Sequence, residues 1–348
     1  MTRGRLLHDG VVDPVEALRE TAFWLERERA STYRVEAFRN AAAALEDLSA
    51  DDLAERSRTG ALGRMKGLGP RTTTVVEQAL AGDVPSYLAD LRERNTEPLA
   101  AGGAELRALL RGDLHSHSDW SDGGSPIEEM ARAAAWRGRE YQALTDHSPR
   151  LTVANGLSRE RLEEQLGVVA EIDGRIEGVT LLTGIEVDIH LDGELDQDDD
   201  LLGRLDVVVA SVHSKLAMDA NAMTRRMVAA VSNPHTDVLG HCTGRLVEGG
   251  RGTRRQSRFD ADEVFRACAD HGVAVEINSR PERQDPPDDL IDLALERGCL
   301  FAINTDAHAP GQLDFLDHGA ARAADRGIDP ERIVTTWPLD RLRTWLSR

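Results

Sequence analysis

From residue 112 onward the sequence alternates short apolar runs with longer segments of helical periodicity, and this alternation strongly constrains the fold. Four of the helical segments are 127–137, 159–176, 261–271 and 288–297. Seven apolar runs have the length and composition of β-strands: 112–115, 141–145, 180–187, 205–212, 237–240, 273–277 and 300–304. Seven strand–helix units in a row predict an α/β barrel with parallel strands rather than an open sheet.

The first 92 residues predict a small all-α domain instead. The segments "PVEALRETAFWLERE" and "TYRVEAFRNAAAALEDL" space their apolar residues at helical intervals, and a third helix is predicted over 51–59. In "MKGLGPRTTTVVEQAL", Gly67 and Gly69 flank Leu68, and Pro70 suits the first turn of a helix. This pattern predicts a tight hairpin that enters a helix. The predicted domains are therefore 1–92 and 111–348, joined by a linker over 93–110 that is rich in small and turn residues.

Composition limits the class of protein. A hydrophobic content of 41%, a charged content of 30% and the lack of a long apolar run indicate a soluble protein without a membrane partner. The start "MTRGRLLHDG" has no apolar signal region, and three cysteines without zinc-finger spacing suit a reducing compartment, so the sequence predicts the cytoplasm. The net charge of −19 argues against a broad basic nucleic-acid surface. Residues 1–100 contribute −3 of this charge and the rest −16.

Potential metal ligands recur at the ends of the predicted strands. The pair His115 and His117 in "GDLHSHSDWSDGG" is by itself more often incidental than a ligand pair. The other strand ends supply further candidates: Asp146, His147, Glu186, His213, His241, Glu276, Asn278, Asp306 and His308. The carboxyl ends of parallel barrel strands share one face, so these residues are expected to converge. Unrelated core or surface histidines would show no such relation to strand ends, yet six of the eleven histidines do.

The spacing and the residue types predict a metal site. Residues at i and i+2 of an extended strand point to the same side, so His115 and His117 can bind one ion together. Imidazole and carboxylate ligands suit zinc, manganese or iron better than magnesium or calcium. Cys242, next to His241, is interpreted as a packed neighbour rather than a ligand.

The motifs "DLHSHSDWSDG", "LTDHS", "GIEVDI", "SVHS", "NPHTDVLGHCTGR", "EINSRPERQDPP" and "INTDAHAP" resemble those of the PHP (polymerase and histidinol phosphatase) domain. The resemblance covers about residues 111–340 and is strongest to the form attached to bacterial family X DNA polymerases. It implies a distorted seven-stranded TIM-like (β/α) barrel and a site for two to three divalent ions. It further implies a hydroxide bridging the ion pair that Glu186 shares, with Asp306 and His308 at the reacting group.

The same resemblance implies nine ligands. The first metal would take His115, His117, Glu186 and Asp306. The second would share Glu186 and take His213 and His241. The third would take Asp122, His147 and His308. Asp122 would thus be the third ligand from the segment "GDLHSHSDWSDGG".

The N-terminal segment is similar to the small helical domain of family X polymerases, including its helix-hairpin-helix. The lysine that forms a Schiff base in lyase-competent relatives maps to Val75, and without an amine nucleophile the resemblance does not imply lyase activity. The polymerase palm and fingers have no counterpart, because only about twenty residues separate the two resembling parts. Lys66, Gly67, Gly69 and Arg71 are candidate DNA contacts, although the hairpin could instead be purely structural.

The resemblance implies a metal-dependent phosphoesterase, with a 3′–5′ exonuclease or 3′-end phosphatase on DNA as the favoured activity and DNA-repair proteins as possible partners. A small-molecule phosphatase such as a histidinol-phosphatase is the alternative enzyme. A non-catalytic DNA-repair binding module is the third possibility. Lys215, Arg245 and Arg280 follow strands four, five and six and are candidate substrate-binding cations, or else solvated loop residues.

Overall fold

A computed structural model describes residues 12–250 and 252–348. The chain divides into two compact units. The first comprises the residues up to Pro98 together with Pro310–Gln312, and the second comprises Leu99–Ala309 and Leu313–Arg348. The first eleven residues of the predicted N-terminal domain lie outside the described part of the chain.

The first unit is helical, as predicted. Its helices are α1 (Pro14–Arg27), α2 (Thr32–Leu45), α3 (Ala50–Arg58), α4 (Pro70–Leu80) and α5 (Ser86–Arg94), with a 3₁₀ turn at Leu62–Arg64. Asp13 caps α1 by accepting hydrogen bonds from the backbone N–H groups of Val15 and Glu16. The apolar faces meet in a core of fully buried side chains that includes Leu18, Leu25 and Leu45.

The predicted hairpin enters α4. Gly67 has φ +94°, and a Cβ there would lie 3.3 Å from both Asn40 O and Ala44 Cβ, so the turn requires glycine. Gly69 immediately precedes the helix, and its N–H donates to Thr72 Oγ1 at 2.9 Å. Pro70 is the first helical residue, where its missing N–H has no cost.

The second unit is a nearly closed barrel of seven parallel strands that pair in chain order. The strands are β1 (Gly112–Asp113), β2 (Tyr141–Leu144), β3 (Thr180–Asp188), β4 (Val207–Ser211), β5 (Val238–Leu239), β6 (Ala274–Asn278) and β7 (Leu300–Asn304). The helices are α6 (Ala104–Leu109), α7 (Ile127–Trp136), α8 (Arg159–Asp173), α9 (Asp199–Leu202), α10 (Ala220–Val231), α11 (Ala261–His271), α12 (Asp288–Glu296), α13 (Leu316–Asp325) and α14 (Leu339–Leu346). A single parallel bridge, Ser116 to Ala307, joins the first and last strands beyond their ends.

The predicted barrel is therefore confirmed, and all seven predicted strands form. The first strand is shorter than predicted because, after Asp113, backbone N–H groups donate to side-chain oxygens instead of to a neighbouring strand. The Leu114 N–H donates to Asn304 Oδ1, and the His115 N–H donates to Asp113 Oδ1. The segment 93–110, predicted as a linker, contains the last residues of α5 and the short helix α6.

The strands separate two apolar layers. The larger layer lies between the strands and the surrounding helices. The smaller one closes the amino-terminal end of the barrel, where Leu342 of α14 packs with Val207, Val238 and Ala274, the first residues of their strands. The carboxyl ends of the strands are thus left for polar residues. None of the helices in the described ranges has the length and apolar character needed to cross a lipid bilayer.

Candidate metal centre

The nine residues predicted as ligands converge at the carboxyl ends of the strands, with Glu186 at the centre. Glu186 lies near the end of β3, and both of its carboxylate oxygens are surrounded by imidazole nitrogens. Oε1 is 2.8 Å from His241 Nε2 and 3.2 Å from His213 Nε2. Oε2 is 2.9 Å from His147 Nδ1 and 3.3 Å from His115 Nε2. One carboxylate from β3 thus meets side chains that follow four other strands.

Asp122 belongs to the same cluster, as predicted. Its Oδ1 lies 3.4 Å from His147 Nε2 and 3.2 Å from His308 Nε2. The loop that carries it is shaped by Asp146, which accepts hydrogen bonds from Ser118 Oγ at 2.6 Å and Ser121 Oγ at 2.5 Å.

Four overlapping groups have ligand atoms within 4.8 Å of one another. They are His117, Asp122, His147 and His308; His115, His117 and Asp306; His115, Glu186 and His241; and His147, Glu186 and His213. This grouping differs in detail from the one that the resemblance implies, because His147 also lies with Glu186 and His213. A further group, His190, Asp192 and Glu194, lies on a partly exposed loop.

The buried atoms of the cluster fit divalent metal ions. The Nε2 atoms of His115, His117, His213 and His241 and both oxygens of Glu186 are buried, and none makes a hydrogen bond of suitable geometry even where an imidazole nitrogen lies close to Glu186. Burying that many unpartnered polar atoms costs free energy unless something coordinates them. Neutral imidazole and carboxylate donors at these separations match the preferences of zinc, manganese or iron.

Two acidic residues orient the histidines from behind. Glu276 Oε1 lies 2.7 Å from the ring atom His115 Nδ1, and Glu276 Oε2 accepts a hydrogen bond from the backbone N–H of His241 at 2.8 Å. Asp188 Oδ1 lies 2.8 Å from His213 Nδ1. Such partners fix the ring orientation and leave Nε2 facing the centre. The sequence places Glu276 among the strand-end candidates, but the nine ligands that the resemblance implies do not include it.

Arg283 is a site residue that sequence reasoning missed. Its Nε donates to Asp306 Oδ2 at 2.9 Å, and Asn278 Nδ2 donates to the same oxygen at 3.1 Å. Oδ1 of Asp306 is left facing His117 Nε2 at 3.4 Å. The segment "PERQDPP" contains nothing that distinguishes this arginine from a surface residue, so no local signal could have identified it.

The cluster perturbs its own titration. Burial, followed by the nearby His308 and His147 rings, lowers the pKa of His117 to about 3, which keeps the ring neutral. Burial opposes protonation of His147, but the carboxylates of Glu186 and Asp122 raise its pKa to about 10. Burial by itself would raise the pKa of Glu186, but the surrounding histidines outweigh this effect and hold the pKa well below its ordinary value.

The three predicted substrate-binding cations have different surroundings. Lys215 is exposed after β4, with φ +54°. Arg245 donates through Nε to the carbonyls of Arg283 and Gln284, which ties it to the neighbouring loop. Arg280 Nη1 lies 2.9 Å from His308 Nδ1 and donates to the carbonyl of Asp306. Arg280 also lines a cleft of about 270 Å³, together with Leu246, Glu248, Gly249, Gly250, Glu282, Arg283 and His308.

The hairpin residues are accessible within the first unit. Lys66, Gly67 and Arg71 are exposed, and Gly69 is half-buried. The Arg71 guanidinium lies 5.0 Å from the centre of the Tyr87 ring. Val75 is buried, so the helix presents no amine at the lyase position.

Comparisons with known proteins agree with this architecture. Residues 113–280 match the family model of the PHP domain, and residues 12–84 match a helix-hairpin-helix domain. The DNA polymerase/3′-5′ exonuclease PolX of Bacillus subtilis (strain 168) is 37% identical over 239 residues, which are 69% of this chain and 41% of that protein. The chain therefore spans about two fifths of the length of this relative.

A probable phosphatase of Caldanaerobacter subterraneus subsp. tengcongensis is 27% identical over 257 residues, covering 71% of this chain and 94% of the relative. A solved structure, histidinol phosphate phosphatase from Lactococcus lactis subsp. lactis Il1403 complexed with zinc, L-histidinol and phosphate, aligns with a TM-score of 0.44 and 19% identity. That alignment covers 63% of this chain and 95% of the other.

The barrel, its polar carboxyl face and the matched family define a hydrolase that acts on phosphate esters. Residues 113–280 thus form a PHP domain, and residues 12–84 form a helix-hairpin-helix domain that precedes it.

Proposed function

We propose that this protein is a 3′–5′ exonuclease or 3′-end phosphatase acting on DNA, with two to three divalent zinc, manganese or iron ions. The observation that carries the proposal is the set of buried, unpartnered imidazole and carboxylate atoms around Glu186. Both activities hydrolyse a phosphate ester at a strand end, so one site serves either.

The proposed ligands are the nine residues of the cluster. They are His115, His117, Asp122, His147, Glu186, His213, His241, Asp306 and His308. When bound, the ions would supply Lewis-acid assistance and activate water near neutral pH. Three divalent ions against three ligand carboxylates leave an excess of about +3, which attracts a phosphate dianion in spite of the acidic chain.

The protein's own groups do the positioning. Glu276 and Asp188 hold the imidazoles of His115 and His213 in fixed orientations. Arg283 with Asn278 directs one oxygen of Asp306 to the centre. Arg280 keeps His308 in place and lines the cleft, so it can also bind a phosphate oxygen of the substrate. Lys215, which is exposed, and Arg245, which is tied to the carbonyls of Arg283 and Gln284, are the other proposed phosphate contacts.

Two features favour a DNA substrate. The helix-hairpin-helix match offers exposed Lys66 and Arg71 beside the N-terminus of α4, an arrangement that suits a DNA phosphate. The PolX relative carries a 3′-5′ exonuclease in its name. If the activity acts at DNA 3′ ends, repair proteins are its expected partners.

A small-molecule phosphatase, with histidinol phosphate as one candidate substrate, is the second candidate. The observation in its favour is that the probable phosphatase relative is covered over 94% of its length. A non-catalytic binding module is the third, but retention of all nine ligand-competent residues argues against it.

The discriminating experiment offers a labelled single-stranded oligonucleotide and histidinol phosphate to the protein with Mn²⁺, with and without chelator. We expect nucleotide or phosphate release from the oligonucleotide that chelator and the substitution His115→Ala both abolish. Release that survives in His115→Ala would refute the proposed site. Turnover of histidinol phosphate without any reaction on the oligonucleotide would refute the DNA substrate.

A further inference from the structure

The loop after β5 is positively charged, although the chain as a whole is strongly acidic. Residues 242–258, here called the basic loop, contain five arginines and one glutamate: Arg245, Arg251, Arg254, Arg255, Arg258 and Glu248. The loop is therefore net +4 in a protein of net −19. A solvated surface of this chain would ordinarily be acidic, so the clustering calls for a ligand of opposite charge.

The basic loop is built into the rim of the metal centre. It begins directly after His241, and Leu246, Gly249 and Gly250 line the cleft that reaches His308. Its backbone is anchored, because Val247 N–H donates to Glu282 O at 2.8 Å and Ser257 N–H donates to Thr243 O at 2.8 Å. A bridge between Leu246 and Arg254 closes the loop into a hairpin. The loop thus holds a defined position beside the proposed ligands.

Among the described residues of the basic loop, three arginines are exposed. Arg254, Arg255 and Arg258 are exposed, while the neighbouring Ser257 is buried as an anchor. Arg254 is used locally, since its Nε donates to the Gly244 carbonyl at 2.6 Å. Arg255 and Arg258 are the exposed cations best suited to meet a ligand that lies across the loop.

Charge around the rim is distributed unevenly. The segment after β3, residues 189–200, carries six carboxylates and neither lysine nor arginine: Asp192, Glu194, Asp196, Asp198, Asp199 and Asp200. Asp198 and Asp200 pair with Arg159, but the segment that follows β3 keeps an excess of negative charge. The acidic segment therefore repels a polyanion, and the basic loop attracts it. A small phosphate monoester needs only the metal centre and gains little from exposed arginines several residues away from it.

We propose that the basic loop binds the phosphate backbone of a single-stranded polynucleotide whose terminal ester lies in the metal centre. The inference rests on the proposed function and deepens it, because it names the substrate as a polyanion that extends past the scissile ester. The strand leaves the cleft across Arg255 and Arg258, away from the acidic segment. Backbone contacts of this kind are independent of base sequence and weaken steeply with salt.

The test measures binding separately from hydrolysis. Anisotropy of a fluorescein-labelled dT20 oligonucleotide is recorded in EDTA between 50 and 200 mM salt for the full chain and for Arg255→Ala/Arg258→Ala. Two lost contacts should flatten the dependence of log affinity on log salt by about 1.4. Raising salt from 50 to 200 mM should therefore weaken binding of the variant by a factor about sevenfold smaller than the factor for the parent. Arg132→Ala/Arg343→Ala, two exposed arginines on α7 and α14, is the charge-matched control and should behave like the parent protein.

Hydrolysis with Mn²⁺ gives the second measurement. In the loop variant the KM for dT20 should rise, while kcat and the turnover of p-nitrophenyl phosphate stay unchanged. Equal salt dependence in the loop variant and the parent, or oligonucleotide binding too weak to detect in the parent, would overturn the proposal. A parent that binds dT20 through the basic loop but hydrolyses only small esters would instead refute the exonuclease function and leave the binding surface supported.

Discussion

Glu276 shows how a residue outside the proposed ligand set can control the metal centre. It accepts four hydrogen bonds, from His115 Nδ1 and Asn304 Nδ2 on one oxygen and from His241 N–H and Asn278 Nδ2 on the other. In Glu276→Gln an amide N–H₂ must face one of these donor pairs. We expect metal affinity to fall by about 10- to 100-fold, as found for partners of metal-binding histidines. Isothermal titration calorimetry with Zn²⁺ or Mn²⁺ measures the metal affinity.

The exposed Glu164 of α8 supplies the control for this substitution. Glu164→Gln removes the same charge from the chain without touching the cluster, so its metal affinity should match that of the parent. An affinity of Glu276→Gln equal to that of Glu164→Gln would show that Glu276 does not orient the ligands.

Asp237 gives a pH prediction away from the site. It precedes β5, its Oδ2 accepts the Val208 N–H at 2.9 Å, and burial raises its pKa to about 7 from an ordinary 3.8. Between these values the folded protein binds a proton that the unfolded chain releases, so the free energy of unfolding falls as pH rises from about 4 to 7. The loss is at most about 4 kcal/mol.

The substitution Asp237→Asn removes this titration. The stability difference between Asp237→Asn and the parent should move in favour of the variant as pH rises from 4 to 8, as measured by urea denaturation at fixed metal concentration. The exposed Asp289 serves as the control, since Asp289→Asn removes a charge without a buried carboxyl. A pH-independent difference for Asp237→Asn would contradict the assignment.

At the residue scale, the sequence predicts which side chains converge because histidines and carboxylates are recognisable and follow the ends of the strands. The structure brings His115 and His117 together with the other seven predicted residues, although β1 ends at Asp113 and both histidines follow the strand rather than alternate within it. Arg283 could not be found in this way. It reaches Asp306 from a different loop, and only the three-dimensional path of that loop makes the contact.

At the scale of elements, the loop after β2 is the most tightly constrained part of the metal face. A Cβ on Gly156 would lie 1.8 Å from the Ser148 carbonyl oxygen, and Ser148 N–H donates to Glu186 O at 3.0 Å. Gly156→Ala must therefore displace backbone next to His147 and Glu186. We expect a loss of about 1–3 kcal/mol in the free energy of unfolding, together with weaker metal binding. Urea denaturation and metal titration measure the two effects.

The neighbouring helix offers a matched substitution. Gly167 lies inside α8, is exposed, and a Cβ there would meet nothing within 4 Å. Gly167→Ala should stabilise the protein by about 0.5–1 kcal/mol, because alanine suits a helix better than glycine. If both glycine substitutions changed stability alike, the close approach at Gly156 would not be the cause.

The strands were predictable because periodicity and length are properties of the sequence itself. Their exact ends were less so. β1 stops at Asp113 because Asn304, almost two hundred residues later, supplies the hydrogen bond that a strand partner would otherwise make. Helix α6 was assigned to a linker because its six residues follow a run of small and turn residues that obscures the helical pattern.

At the scale of the whole molecule, all nine cluster residues belong to the second unit, and the hairpin belongs to the first. The contribution of the hairpin to binding of the strand is therefore separable from the chemistry by substitution. Lys66→Ala/Arg71→Ala should raise the KM for dT20 and flatten its salt dependence by about 1.4, because two phosphate contacts are lost. Turnover of p-nitrophenyl phosphate should not change, since no proposed ligand is touched.

The exposed or half-buried arginines of α3 give the control Arg56→Ala/Arg58→Ala, which removes equal charge from the same unit. If the hairpin variant and this control had the same KM for dT20, the helix-hairpin-helix would have only a structural role, and recognition of the strand would rest on the barrel.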